Sequence, residues 1–304
     1  MSERTGRRCG PLLSRLDWPY QTAPCQALGL DFAVRVMDPF LGAYLDRILV
    51  HRTFPGPSAH LYSLVDRGPQ IRLRYALFLD DNLIETLCGP GIALAYLLWH
   101  INRSVIEHTP DLLLLHAAAV ECGGMTLLLP APTESGKTTL AAGLVQAGLR
   151  YVTDEAVAID PDTKRVVPYP KALSVDPGSW SVLAALRPHV TEEVRPYLDR
   201  QWHVIPDAIR PGAVAAASVP GFVIAPRYQA GAETALVPIG RAEAVAILAE
   251  NAFNLDLHGR LGLNLLADVV RRCRCYRLTI ADLDDACESI FDLLGHGKEG
   301  RAAS

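Results

Sequence analysis

The stretch MTLLLPAPTESGKTTLAAGL, Met125 to Leu144, decides how the rest of the chain is interpreted. Residues 131–138 read A-P-T-E-S-G-K-T, which matches the phosphate-loop pattern G-x-x-x-x-G-K-[ST] with Ala in place of the first glycine. The apolar run before this loop predicts a buried strand, and the run from Gly136 to Ala147 predicts a helix. A phosphate loop requires this strand–loop–helix order, so the sequence predicts a site for a nucleoside triphosphate.

Each part of the loop suits a phosphate group. Gly136 lets the backbone approach closely, and Lys137 neutralises the charge of the β- and γ-phosphates. The Thr138 hydroxyl is of the type that ligates Mg²⁺, whereas the side chain of Glu134 can point to solvent. The predicted nucleotide-binding residues are Thr133, Glu134, Ser135, Gly136, Lys137, Thr138 and Thr139.

An acidic pair, Asp154-Glu155, ends the apolar run LRYVT 17 residues after Lys137. Taken alone, such a pair is often a solvated strand end or a helix cap. After a phosphate loop, one carboxylate can hold Mg²⁺ and the other can take the proton of an attacking hydroxyl. The sequence contains no N-K-x-D motif and no L-S-G-G-Q-like signature, which disfavours a GTPase and a transport ATPase cassette.

A third feature is His116, which bounds the apolar run LLLL and taken alone would be a core or turn histidine. Together, LLLLHAAAV, GGMTLLLPAPTESGKTTLAAGLVQAG and LRYVTDEAVAID resemble the HPr kinase/phosphorylase-like family of serine kinases. The resemblance is dense over residues 111–160. It extends loosely through VVPYPKALSVDPGSW and YRLTIADLDDACESIFDLL.

The resemblance implies an α/β phosphate-loop kinase domain akin to phosphoenolpyruvate carboxykinase, with ATP and Mg²⁺ as cofactors. It implies that Asp154 is the general base and that Glu155 and Thr138 form the Mg²⁺ shell. His116 would tune Asp154, so the predicted catalytic residues are Asp154, His116 and Lys137.

The acceptor is also predicted from the resemblance. KALSVDPGSW stands where the bifunctional family members carry a glycine-containing signature, which favours a one-way kinase. The layout resembles HPr-kinase-like proteins encoded with ribosomally made peptides, and in lasso-peptide systems such kinases phosphorylate a Ser of the precursor. We therefore expect a peptide or small-protein acceptor with a Ser or Thr hydroxyl. Family members often form oligomers, so a homo-oligomer is possible.

Two other functions stay open at this point: a non-catalytic ATP-binding regulatory module, and a small-molecule kinase on the same fold. A second cation usually assists phosphoryl transfer. The sequence offers Lys171, Arg210 and Arg227, although a solvated basic residue is the commoner interpretation of each.

The composition sets outer limits on function. The chain has 304 residues, half of them hydrophobic, and a net charge of −4, which disfavours general nucleic-acid or membrane binding. The N-terminus has no apolar region typical of a secretory signal, and the seven cysteines form no CxxC pair. These observations predict a reduced, cytoplasmic protein.

The chain is predicted to contain a loose N-terminal arm over residues 1–24, a small β-rich module over 25–88 and the phosphate-loop domain over 89–304. Period-2 alternation in LDFAVRVMD, AHLYSLVDR and QIRLRYALFL predicts strands in the module. A helix is predicted to follow up to about His108. Two strands joined at Gly123-Gly124, the loop helix and a strand over LRYVTDEAVAI predict a βαβ crossover. Helices are predicted at 240–254, 260–272 and 281–295.

Overall fold

A computed structural model describes residues 13–50, 52–53 and 55–295. The chain forms two compact units, each built from separate segments. Unit 1 comprises residues 1–109 and 188–205, and unit 2 comprises residues 110–187 and 206–304. This division differs from the predicted boundary at residue 88, because the helix after that residue belongs with unit 1.

Unit 1 is built on a seven-stranded sheet with the order β4-β2-β3-β5-β6-β7, beside which β1 pairs with β3. Its strands are β1 (Tyr20–Gln21), β2 (Cys25–Ala27), β3 (Leu30–Val36), β4 (Arg52–Thr53), β5 (His60–Asp66), β6 (Tyr75–Leu79) and β7 (Asn82–Leu87). The three strands predicted from alternation are confirmed as β3, β5 and β6. Each contains at least three consecutive buried residues, and because neighbouring side chains point to opposite faces, these strands are covered on both faces.

The described part of the predicted N-terminal arm is packed rather than loose. Leu13 is fully buried against Val65, Ala76 and Phe78, and β1 pairs with β3. Residues 1–12 lie outside the described residues.

Two helices complete this part of unit 1: α1 (Pro39–Ile48) and α2 (Pro90–Glu107). α2 was predicted, whereas α1 falls in a region that was interpreted as strands and loops. The sequence nevertheless contains a helix-start signal for α1, the pair Asp38-Pro39. In the structure Asp38 accepts hydrogen bonds from the amides of Phe40 and Leu41, and Pro39 takes the first helical position. α1 links β3 to β5, which run parallel and therefore need a crossover connection.

Unit 2 is built on an eight-stranded sheet with the order β12-β11-β8-β9-β15-β17-β16, beside which β10 pairs with β8. Its strands are β8 (Leu113–Cys122), β9 (Met125–Pro130), β10 (Arg150–Thr153), β11 (Ala156–Ile159), β12 (Val166–Val167), β15 (Val219–Tyr228), β16 (Ala235–Pro238) and β17 (Arg274–Ile280). Two further short strands are β13 (Leu173–Val175) and β14 (Trp202–Val204), the latter in unit 1.

The helices of unit 2 are α3 (Lys137–Gln146), α4 (Pro206–Ile209), α5 (Arg241–Glu250), α6 (Leu255–Arg272) and α7 (Leu283–Leu293). The helical predictions near 240–254, 260–272 and 281–295 are confirmed by α5, α6 and α7. One face of the sheet packs on α5 and α6 in a single apolar core, which contains Leu115, Leu128, Val223, Leu248 and Leu266.

The segment around the predicted loop has the predicted topology. β8 and β9 form an antiparallel hairpin, whose turn residues Gly123 and Gly124 both have positive φ, as a tight two-residue hairpin turn requires. β9 continues into the loop and α3, and the chain returns along β10. Since β9 and β10 are both antiparallel to β8, they run parallel to each other with β8 between them, which confirms a βαβ crossover.

The predicted strand LRYVTDEAVAI is in fact two strands. β10 and β11 both pair with β8, and Asp154-Glu155 form a bend between them. The acidic pair is therefore held beside the middle of β8 instead of lying at a free strand end. The fold is thus mixed α/β, with multi-stranded sheets in both units.

Candidate functional site

The loop between β9 and α3 has an open N-terminal helix end. Gly136 precedes α3 with φ 86° and ψ 6°, a left-handed conformation that glycine adopts without strain. Among the described residues, no side chain caps the first amides of α3, so their N–H groups are available to an anion. Glu134 also has a positive φ of 63°, which is unusual for a residue with a Cβ. Thr133 and Glu134 are exposed, as expected for the rim of such a loop.

Two polar groups of the loop are buried. The side chain of Lys137 is 6% exposed, and its Nζ donates to the carbonyl oxygen of Pro132 at 3.2 Å. The Oγ of Ser135 is buried and makes no hydrogen bond within the described residues. A buried hydroxyl is normally hydrogen-bonded, so an additional acceptor or donor is expected beside Ser135.

Burial lowers the pKa of Lys137 because it penalises the charged ammonium, while the charges of Glu155 and Asp154 oppose that shift. Desolvated in this way, the ammonium would gain from an anionic ligand.

The two threonines that open α3 differ in their surroundings. Thr139 Oγ1 lies 2.6 Å from Ser179 Oγ, so this hydroxyl already has a partner in the protein. Thr138 is half-buried in the first turn of the helix. Of the two, Thr138 is therefore better suited to ligate a metal ion, as predicted from the motif.

Asp154 lies at the centre of a buried cluster and is only 1% exposed. Its Oδ1 accepts a hydrogen bond from the Tyr151 hydroxyl at 2.7 Å and lies 2.7 Å from Lys171 Nζ. Its Oδ2 accepts from the backbone amide of Ser174 at 3.2 Å. Both oxygens thus have partners, which fixes the orientation of the carboxylate.

Glu155 is the more accessible carboxylate of the pair, being half-buried. Burial is the main cause that raises its pKa, and the Asp154 charge adds to this, while the Lys171 and Lys137 charges oppose it.

The strand pairing places the acidic pair beside the loop. Ala117 of β8 pairs with Pro130, the last residue of β9, and its amide donates to the carbonyl oxygen of Glu155 at 3.3 Å. The acidic pair therefore lies one strand away from the start of the loop that carries Lys137.

His116 lies on β8 opposite Ala156 of β11, and its ring packs against Phe253 with the ring centroids 5.4 Å apart. Burial lowers its pKa to about 4, and the nearby charge of Lys137 contributes to this shift. The resemblance implied a His116–Asp154 pair. Instead, Asp154 is held by Lys171, Tyr151 and Ser174, and no hydrogen bond joins it to His116.

The three candidate cations have different surroundings. Lys171 is 5% exposed and paired with Asp154, so its interpretation as a solvated residue is wrong. Arg210 donates to the carbonyl oxygens of Val145, Gly148 and Leu149 and so satisfies the C-terminal end of α3. Arg227 is exposed at the end of β15.

Sequence reasoning missed Tyr151 and Ser174 as partners of Asp154. Tyr151 had a usable signal, because a tyrosine within an apolar strand usually seeks a partner for its hydroxyl. Ser174 lies in the three-residue strand β13 and Lys171 just before it, and so short a strand has no periodicity to indicate which groups meet the acidic pair.

The described residues contain no group of three or more His, Cys, Asp or Glu side chains arranged to hold a metal ion. The Thr138 hydroxyl and the Glu155 carboxylate are hard oxygen donors of the kind that Mg²⁺ accepts alongside phosphate oxygens. These residues fit the cofactors that were predicted.

Comparisons with known proteins add little. No family model matches the chain, and no curated protein matches it. Among solved structures, the chain is similar to the Hpr(Ser) kinase/phosphatase from Coxiella burnetii, with 11% sequence identity and a TM-score of 0.27. The alignment covers 60% of this chain and 99% of that one. An overlap this low leaves the function to be judged from the residues of the site.

In the described part of the chain, no helix is long and apolar enough to cross a membrane.

Proposed function

We propose that this protein is an ATP- and Mg²⁺-dependent kinase that phosphorylates a Ser or Thr hydroxyl of a peptide or small protein. The proposal depends on one observation: the buried Lys137 follows a loop that starts at the end of β9, and β8 holds the acidic pair one strand away from that point. Binding of a triphosphate needs the lysine, and deprotonation of a hydroxyl acceptor needs the acidic pair.

The loop residues account for phosphate binding. Lys137 supplies a desolvated positive charge. In the part of the chain that the structure describes, the buried Ser135 hydroxyl has no partner and the first amides of α3 have no cap, so both can meet a phosphate. Thr138 and Glu155 would hold the metal ion. When bound, ATP supplies the phosphoryl group, and Mg²⁺ neutralises negative charge on the phosphate oxygens.

The acidic pair accounts for the acceptor. As the bond from the acceptor oxygen to the γ-phosphorus forms and the bond to the β-phosphate oxygen breaks, the hydroxyl proton passes to a carboxylate. Asp154 is the proposed base, since a carboxylate has lone pairs beyond those that Tyr151, Lys171 and Ser174 occupy. The resemblance to kinases of lasso-peptide systems supports a ribosomal peptide precursor as the acceptor.

One observation favours a second function, a nucleotide-binding module without catalysis. Asp154 is 1% exposed, and both its oxygens already have partners. If this arrangement persists when nucleotide binds, no acceptor hydroxyl reaches it.

Three variants separate these functions. Lys137→Met should lose binding of Mg²⁺-ATP in calorimetry, whereas Lys164→Met, which changes a lysine paired with Asp268 at another place in unit 2, should bind as the parent does. Asp154→Asn should keep binding and lose phosphoryl transfer. If Asp154→Asn transfers phosphate as fast as the parent, Asp154 is not the base. If the parent binds ATP but phosphorylates no peptide, the module without catalysis is the better account.

A further inference from the structure

The strand order of unit 2 places different groups on the two sides of the phosphate loop. β9, which leads into the loop, lies between β8 and β15. The acidic pair and His116 lie on the β8 side, because β10 and β11 both pair with β8. β15 forms the other side and runs parallel to β9, so its C-terminal end lies at the same sheet edge as the loop.

The end of β15 touches the loop directly. The backbone amide of Tyr228 donates to the carbonyl oxygen of Ser135 at 3.1 Å. A Cβ added at Gly136 would lie 3.5 Å from the Tyr228 Cβ. The backbone amide of the next residue, Gln229, donates to the carbonyl oxygen of Ile280 at 2.9 Å. The Tyr228 backbone is thus fixed against the loop.

The Tyr228 side chain is nevertheless 56% exposed, while Ile224 on the same strand is fully buried. A tyrosine ring with a fixed backbone offers a planar apolar surface at little cost in conformational entropy. Such a surface stacks on the face of a nucleobase, and this interaction tolerates different bases.

In-line transfer gives the ligand a direction. The γ-phosphate must face the acceptor hydroxyl and the carboxylate that takes its proton, so the nucleoside must lie on the far side of the phosphate chain. In this protein the proposed catalytic carboxylate, Asp154, lies on the β8 side, so the acceptor must approach there. This leaves the β15 side for the nucleoside.

From this arrangement we propose that Tyr228 forms the nucleobase subsite and stacks on the base of the bound nucleoside triphosphate. This inference rests on the proposed kinase function. It assigns the end of β15 to recognition of the nucleoside and leaves phosphate binding to the loop.

The test compares a ligand with a base and a ligand without one. Binding of Mg²⁺-ATP and of inorganic tripolyphosphate is measured by calorimetry for the parent, Tyr228→Ala and Tyr228→Phe. Tyr228→Ala should weaken ATP binding by roughly tenfold, the order expected when one stacking partner is removed, and leave tripolyphosphate binding unchanged. Tyr228→Phe keeps the ring and should bind both ligands as the parent does.

The outcomes separate the subsite from the function on which it rests. If Tyr228→Ala binds ATP as tightly as the parent, the subsite is wrong and the proposed function stands. If Tyr228→Ala weakens ATP and tripolyphosphate equally, Tyr228 shapes the loop instead of binding the base. If the parent binds neither ligand, both proposals are overturned.

Discussion

At the scale of single residues, the pair formed by Lys171 and Asp154 is a buried interaction with a measurable energetic consequence. The two side chains are 6% and 1% exposed and lie 2.7 Å apart. Lys171→Met removes the cation and leaves a buried carboxylate without its charge partner. This change should lower the free energy of unfolding by about 3–5 kcal/mol, measured by urea denaturation.

A matched double variant checks this interpretation. Asp154→Asn combined with Lys171→Met removes both charges, so it should recover much of the stability that Lys171→Met loses. If the double variant is as unstable as Lys171→Met alone, the loss comes from packing of the lysine stem and not from the unpaired charge.

A second prediction at this scale concerns His116, whose pKa is lowered to about 4, mainly by burial. Between pH 4 and the ordinary histidine value of about 6.5, the unfolded chain binds more of this proton than the folded chain does. The contribution of His116 to stability is therefore complete above pH 6.5 and is lost as the pH falls through this window.

His116→Gln should accordingly make stability less dependent on pH between 6.5 and 4 than it is in the parent, as followed by urea denaturation. Equal pH dependence in the two proteins would show that His116 titrates alike in the folded and unfolded chains.

At the scale of elements, the phosphate loop contains two residues with positive φ, and substitutions at the two positions should change stability in different ways. Gly136→Ala places a Cβ on a residue with φ 86° and should cost about 1–2 kcal/mol of stability. Glu134→Gly relieves a residue with φ 63° and should leave stability unchanged or slightly higher. Thermal unfolding of both variants measures the difference. A destabilised Glu134→Gly would mean that the glutamate side chain makes a contact that matters more than its backbone conformation.

The individual elements also show which parts of the structure could be predicted from the sequence. The β8–β9 hairpin, the loop and α3 could be predicted because long apolar runs, Gly123-Gly124 and Gly136 indicate the same local structure. α1 was missed because its short amphipathic run lies between strands with stronger alternation. The surroundings of Asp154 could not be predicted, because Lys171 comes from a segment without periodicity and meets the carboxylate only through tertiary folding.

At the scale of the whole molecule, the discontinuous unit 1 has a consequence for truncation. Residues 188–205 belong to unit 1, where Val194, Tyr197 and Leu198 are buried and the Tyr197 hydroxyl donates to Asp38 at 3.1 Å. A fragment of residues 110–304 keeps this segment but loses its partners, so its apolar side chains become exposed.

We expect that fragment to aggregate, measured as a lower soluble yield than the full chain gives. Replacing residues 188–205 of the fragment with a Gly-Ser linker should restore part of the yield. If the unmodified fragment is as soluble as the full chain, the segment does not depend on unit 1 for its packing.

The central claim is that the site of unit 2 transfers a phosphoryl group from ATP to a hydroxyl. Its most direct test is intact-mass spectrometry of serine-containing peptides, including the peptide encoded beside the gene, after incubation with the protein, ATP and Mg²⁺. The account predicts a gain of one phosphate on a serine peptide, and no gain on its Ser→Ala version or with the Lys137→Met enzyme. A parent protein that binds ATP but adds phosphate to none of the peptides, or a Lys137→Met variant that adds it as the parent does, would contradict the account.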